Sequence, residues 1–219
     1  MQEIYTQSTS TSRVFEADKV LKNTYALLAM TLAFSAVCAG VAMAINMPYL
    51  GLWTLLPYIG LLFAVEKTKN SGLGIVFVFA LTGWLGLSIG PIINAYLSTV
   101  GMEPVLMALG GTSLIFFGLS GYTLVTRKDF SFLTGFIMTG LLVAFIAGIA
   151  SAIFNLGPLS LAVSCAFIFL SSMLIMWQTS QIIHGGETNY ISATVTLFVS
   201  IYNIFLSLLS ILGMFSSDD

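Results

Sequence analysis

The chain has 219 residues, is 58% hydrophobic and only 7% charged, and carries a formal net charge of -2. Its mean hydropathy is +1.00. A soluble domain carries about 25% charged residues, and a water-exposed fold of this size cannot hide so much apolar surface. The composition therefore excludes a soluble globular protein and predicts an all-α polytopic membrane protein whose main partner is the lipid bilayer. Nothing in the charge balance points to nucleic acid.

Residues 1–20 are polar and rich in Ser, Thr and Gln, as in Thr6-Gln7-Ser8-Thr9-Ser10-Thr11-Ser12. They carry too little apolar surface to offset chain entropy and are expected to form a disordered tail. A cleavable signal peptide is not expected, because the first apolar run is too long for one. Apolar runs follow at about 21–45, 50–65, 72–97, 104–126, 132–154, 159–183 and 190–214, and 215–219 is a short polar end. The seven-helix transmembrane domain is accordingly placed at 21–214. The second run is short and contains Pro57, so a six-span arrangement is the rival. The others approach or exceed the ~20 residues needed to cross ~30 Å of hydrocarbon. In the third run Gly86 and Gly90 form a small-xxx-small pair suited to close helix approach. Pro91 is expected to kink or end that helix near Asn94.

All seven Lys and Arg fall in the N-terminal tail, at the very start of the first run (Lys22), and in the loops after the second and fourth runs. The turns after the first, third and fifth runs contain none. With seven spans the basic segments share one side, which supports a cytoplasmic N-terminus and a periplasmic C-terminus. Six spans spoil that agreement.

No Asp, Glu, Lys or Arg lies deep in a span, which argues against the charged relays of ion-coupled pumps. The single histidine, His184, has no nearby Asp, and no His-rich or Cys-rich cluster exists. Neither a catalytic triad nor a metal site can be built, so no enzyme activity, metal or cofactor is expected. Cys38 and Cys165 lie in apolar runs and read as small hydrophobes.

The most informative stretch runs from Trp177 through the polar elbow His184-Gly185-Gly186-Glu187-Thr188-Asn189 into the seventh run. Ser192, Thr196, Ser200, Asn203, Ser207 and Ser210 are spaced 4, 4, 3, 4 and 3 residues apart and share one helical face. In the sixth run Ser164, Ser171 and Gln178 recur every seven residues, with Gln181 beyond. A polar face must meet protein or water, not lipid. The candidate intramembrane cluster is Gln178, Gln181, Thr196, Ser200, Asn203 and Ser207. Its two readings are helix packing and the lining of a polar cavity or leak path. His184 and Glu187 form the cytoplasmic elbow, which reads as a solvated loop closed by a glycine helix stop.

His184-Gly185-Gly186-Glu187-Thr188-Asn189-Tyr190-Ile191, followed by Ser200-Ile201-Tyr202-Asn203-Ile204-Phe205, resembles the Bax inhibitor-1 (TMBIM) family. Leu21-Lys22-Asn23-Thr24-Tyr25, Gly90-Pro91-Ile92-Ile93-Asn94, Ala108-Leu109-Gly110-Gly111-Thr112 and Thr126-Arg127-Lys128 carry the same resemblance, most strongly to the bacterial YccA-like branch. The resemblance covers nearly the whole chain. It implies a seven-helix bundle with the last helix central. For the calcium-leak members it also implies a buried, pH-sensitive carboxylate pair, whose positions here hold Gln178 and Ser200. A Gln–Ser pair cannot titrate, and calcium prefers carboxylate oxygens. The YccA-like branch implies instead an inner-membrane partner of the FtsH protease and its HflK/HflC companions, engaged through the N-terminal tail. A pH-sensitive calcium or cation leak is the alternative. A small-molecule transporter lacks support, since neither a half-helix ion site nor an inverted repeat is visible.

Overall fold

The computed structural model describes the backbone of residues 2–216 and the side chains of residues 16–215. Seven α-helices and two 3-10 turns make up the described chain, and no strand is present among the described residues. The helices are α1 (Gln2–Ala44), α2 (Leu55–Thr68), α3 (Gly72–Thr99), α4 (Glu103–Thr126), α5 (Thr134–Phe154), α6 (Gly157–Ile183) and α7 (Tyr190–Ser216). The 3-10 turns, Gly51–Thr54 and Ser131–Leu133, lead into α2 and α5.

Helix α1 runs through the segment expected as a disordered tail. The first glycine is Gly40 and no proline precedes it, so nothing in the polar stretch stops a helix from continuing outward. The side chains of residues 1–15, and residues 217–219 of the C-terminal end, lie outside the described residues. The part of α1 long and apolar enough to cross a membrane is Glu16–Ala44.

Six helices meet that length and hydropathy requirement on their own, and α2 does not. Packing nevertheless shows α2 carrying the chain back between two parallel long helices. Along α1 and α3 the contacts advance in the same direction. A Cβ on Gly83 would meet Phe34, one on Gly86 would strike Ser35, and one on Gly90 would lie 2.6 Å from the Ala42 Cβ. Asn94 Nδ2 then donates to the Met43 carbonyl at 3.0 Å. Two consecutive long helices that run parallel require the chain to return between them, and α2 makes that return. Its 14 residues cover about 21 Å, and the preceding 3-10 turn adds about 8 Å. Pro57, expected to interrupt this span, sits in the first turn of α2, where backbone N–H groups have no intrahelical partner to lose.

Pro91 does not end α3 near Asn94. The helix continues to Thr99 with the proline inside it. Proline is tolerated there because neighbouring helices buttress the freed backbone. Gly90 lies flat against α1, and Asn94 is tied to the end of the same helix.

Between Tyr190 and Met214 no residue of α7 is exposed. This helix packs against α1, α2, α3, α4 and α6 and is the centre of the bundle. Helix α5 is the opposite case. Among the helices it leans chiefly on α6, through a single seam of Ile137, Ala144 and Ser151 at seven-residue spacing. Two apolar clusters fill the interior. The larger gathers Leu28, Val78, Leu81, Ile175, Ile191 and Leu197, and the smaller gathers Ala39, Ile89, Val105, Phe205 and Leu209. The apolar side chains left exposed, among them Leu114, Phe117 and Val125 on α4, form the outer surface expected to face lipid. Both cysteines are free thiols.

Candidate functional site

The α6–α7 elbow is built by backbone chemistry. Helix α6 ends as the Gly186 N–H donates to the Gln181 carbonyl at 2.8 Å. Gly185 takes φ +76°, a conformation costly for any residue with a Cβ. A Cβ on Gly186 would displace the Gln181 side-chain amide folded over it. Asn189 then starts α7. Its Oδ1 accepts from the backbone N–H groups of Ile191 (3.0 Å) and Ser192 (3.2 Å), satisfying two donors of the first turn.

The elbow holds the other loops of the same end. Asn189 Nδ2 donates to the Lys69 carbonyl at 3.0 Å and to Asn70 Oδ1 at 2.9 Å, fixing the α2–α3 loop. Ser180, fully buried near the end of α6, fixes the α4–α5 loop. Its hydroxyl donates to the Lys128 carbonyl and accepts from the Phe130 N–H, both at 3.1 Å. Gln181 Nε2 donates to Ser131 Oγ (2.9 Å), and Trp177 Nε1 donates to Thr134 Oγ1 (2.8 Å). The loops after α2, α4 and α6 therefore meet at one end of the bundle, together with Lys67, Lys69, Arg127 and Lys128. An open cleft of about 780 Å³ lies at that end, between Glu16–Asn23 of α1 and the elbow residues Ile183, His184, Glu187 and Tyr190.

Electrostatics at this end are local. Asp129 is held below the usual carboxylate range by hydrogen bonds from the hydroxyl and backbone N–H of Ser131. Lys69 is pushed up by its 2.5 Å hydrogen-bonded ion pair with Glu66. His184 is exposed, and its Nδ1–H donates to the Ser180 carbonyl at 2.9 Å. Half-buried Glu187 accepts from the Asn189 N–H at 2.8 Å. Both elbow residues thus serve the loop's own folding.

One turn deeper lies a polar layer. The Tyr25 hydroxyl of α1 is 2.6 Å from Ser120 Oγ of α4 and 3.3 Å from Thr179 Oγ1 of α6. Thr194 of α7 donates to the Thr24 carbonyl at 3.2 Å and to its own Tyr190 carbonyl at 2.7 Å. Gln178, only 1% exposed, adjoins this layer in sequence, and its Nε2 has no partner.

Of the intramembrane residues singled out by periodicity, Gln178, Ser200 and Ser207 are buried, whereas Gln181, Thr196 and Asn203 are half-buried. Thr196 donates to the Ser192 carbonyl at 3.1 Å and Ser200 to the Thr196 carbonyl at 2.8 Å, so both hydroxyls return to their own helix. Gln181 alone of the six bonds to another element, at the elbow end. Among the described residues no Asp or Glu is buried, and no three metal-ligating side chains come together. What periodicity misses is Tyr25, Ser120, Thr179, Ser180 and Asn189, which make the cross-element bonds. A usable signal was the unbroken polar run Gln178-Thr179-Ser180-Gln181. Four consecutive polar residues point all round a helix, and so require protein or water on every side.

Residues 17–217 match the protein family described as inhibitor of apoptosis-promoting Bax1. The chain is 50% identical to the modulator of FtsH protease YccA of Escherichia coli K12, over all of both chains. It is 49% identical to an uncharacterized protein of Pseudomonas aeruginosa, over 93% of each chain. It is 42% identical to an uncharacterized membrane protein of Vibrio cholerae, over 99% of this chain and 98% of that one. The chain belongs to the Bax inhibitor-1 family.

Proposed function

We propose that this protein is a non-enzymatic, multi-pass protein of a bacterial inner membrane that binds the FtsH protease and modulates it. The observation carrying this reading is the full-length, 50% identity to a protein named as a modulator of that protease. An Escherichia coli relative of equal identity is named an inner membrane protein, which supports the location. Association with HflK/HflC belongs to the same proposal, as do a cytoplasmic N-terminus and a periplasmic C-terminus. The gathering of the basic loops at one end supports that orientation. The polar layer favours this reading over a carboxylate-latched calcium leak, because Gln178 and Ser200 offer no titrating group and no carboxylate ligand.

The test is affinity purification of the tagged full chain, and of a form lacking residues 1–20, from mildly solubilised membranes. Recovery of FtsH with both forms, with degradation restricted to the full chain and altered turnover of a second membrane substrate, is the expected result. Absence of FtsH from both, with unchanged substrate turnover, rejects the proposal. Calcium flux in proteoliposomes equal to that of empty vesicles across pH would dispose of the leak alternative.

A further inference from the structure

Among the described residues, four buried side-chain polar atoms have no hydrogen-bond partner: Thr24 Oγ1, Ser171 Oγ, Gln178 Nε2 and Ser192 Oγ. Thr24 and Gln178 are linked through their neighbours. Thr24 stands where α1 meets α7, through the bond from Thr194 to its carbonyl. Its neighbour Tyr25 reaches Thr179 on α6, next to Gln178. Ser171 lies on the same face of α6 as Gln178, seven residues or about 10 Å further along. Ser192 is in the first turn of α7. Each atom is sealed from bulk solvent, and each lies within the run of a membrane-crossing helix. An amide or hydroxyl without a partner there is costly. Serine and threonine can return a hydroxyl to their own helix, as Thr196 and Ser200 do. Thr24, Ser171 and Ser192 do not, and the two N–H donors of Gln178 cannot be met that way.

The open cleft between α1 and the elbow ends directly above this layer. Asn23, Ile183 and Tyr190 line the cleft. Thr24 follows Asn23 in sequence, Thr179 lies one turn inward of Ile183, and Thr194 is bonded to Tyr190. The polar surface thus continues from an open cleft into a closed layer. We propose that the α1–α6–α7 junction binds ordered water, held chiefly by Gln178 Nε2 and Thr24 Oγ1 beneath a cleft closed by the Thr24–Thr194 contact. A buried water typically takes two to four polar partners, and this junction offers donors and acceptors from three helices. The apolar cluster of Ile89 and Leu209, by contrast, carries none of these unpartnered atoms.

Radiolytic footprinting of the full chain in lipid nanodiscs tests this directly. X-rays generate hydroxyl radicals from bound water in place, so a buried aliphatic side chain is oxidised when water sits beside it. Leu28, Ile175 and Ile191 are buried and lie within about one turn of Thr24, Gln178 and Ser192, whereas Leu209 and Ile89 are buried without such neighbours. The expected result is several-fold stronger labelling of the first group, unaffected by a radical scavenger in the bulk solution. Equal labelling of both groups overturns the proposal. Labelling of the first group that the scavenger abolishes also overturns it, since it would mean bulk solvent rather than enclosed water. Gln178→Met should bring Leu28, Ile175 and Ile191 down to the level of Leu209. Thr24→Val, nearly equal in shape, serves the same purpose if the first variant fails to fold.

Discussion

Asn189 and Lys69 lie 120 residues apart and are joined by a 3.0 Å hydrogen bond from the Asn189 amide to the Lys69 carbonyl. The same asparagine caps α7 with its oxygen. One side chain therefore starts the central helix and pins the α2–α3 loop to it. Asn189→Ala should lower stability by about 1–2 kcal/mol, combining a lost cap with orphaned loop groups. Asn189→Asp keeps the capping oxygen and loses the donors, so it should fall between wild type and alanine. Thermal unfolding in a mild detergent ranks the three.

Ser180 should protect the α4–α5 loop from protease. Ser180→Ala leaves the Phe130 N–H and the Lys128 carbonyl without their partner, at a cost of about 1–3 kcal/mol. The expected readout is faster tryptic cleavage after Arg127 and Lys128, with no matching change after Lys67. Equal cleavage rates at all three sites would show that the clamp does not hold the loop.

The α1–α3 contact should tolerate no added atoms. A Cβ on Gly86 would strike the Ser35 backbone carbonyl, which a rotamer change cannot move. Gly86→Ala should cost about 1–3 kcal/mol through overpacking. Gly118 on the outer face of α4 meets nothing within 4 Å, so Gly118→Ala should be neutral or stabilise by up to about 1 kcal/mol through helix propensity. Comparing detergent unfolding midpoints of the two variants decides whether the contact or glycine itself matters.

Acid should loosen the α4–α5 loop through Asp129. The folded-state carboxyl is held below its unfolded value by Ser131. Its contribution is therefore complete above the unfolded value of about 3.9 and is lost as pH falls through the lower folded value. Asp129→Asn should remove that acid-side slope and lower stability at neutral pH toward that of the acidified wild type. Stability or tryptic-fragment yield of pre-acidified samples, compared between wild type and variant, checks this.

Hydropathy alone placed the boundaries of α3, α4, α6 and α7 within two residues of those observed, and its seven apolar runs match the seven described helices in number. Both were legible because desolvation is additive along a segment. Each run either can or cannot afford hydrocarbon, whatever its neighbours do. The polar stripe on α7 was legible as one that meets protein or water, and none of its residues is exposed. Its partners were not, because a hydroxyl bonds its own helix or another with little difference in sequence. Thr196 and Ser200 turn inward to their own carbonyls, whereas Ser120 and Thr179 meet Tyr25. Nor could local pattern show that Pro91 stays inside α3 or that Pro57 opens α2, since a helix is ended or rescued by what packs beside it. Composition and hydropathy therefore determined that the chain is an all-α protein that spans a membrane many times, and the family resemblance implied that its last helix lies in the middle. Only the tertiary structure decided which polar groups tie the loops of one end together, because those bonds depend on proximity between residues 50 to 120 positions apart.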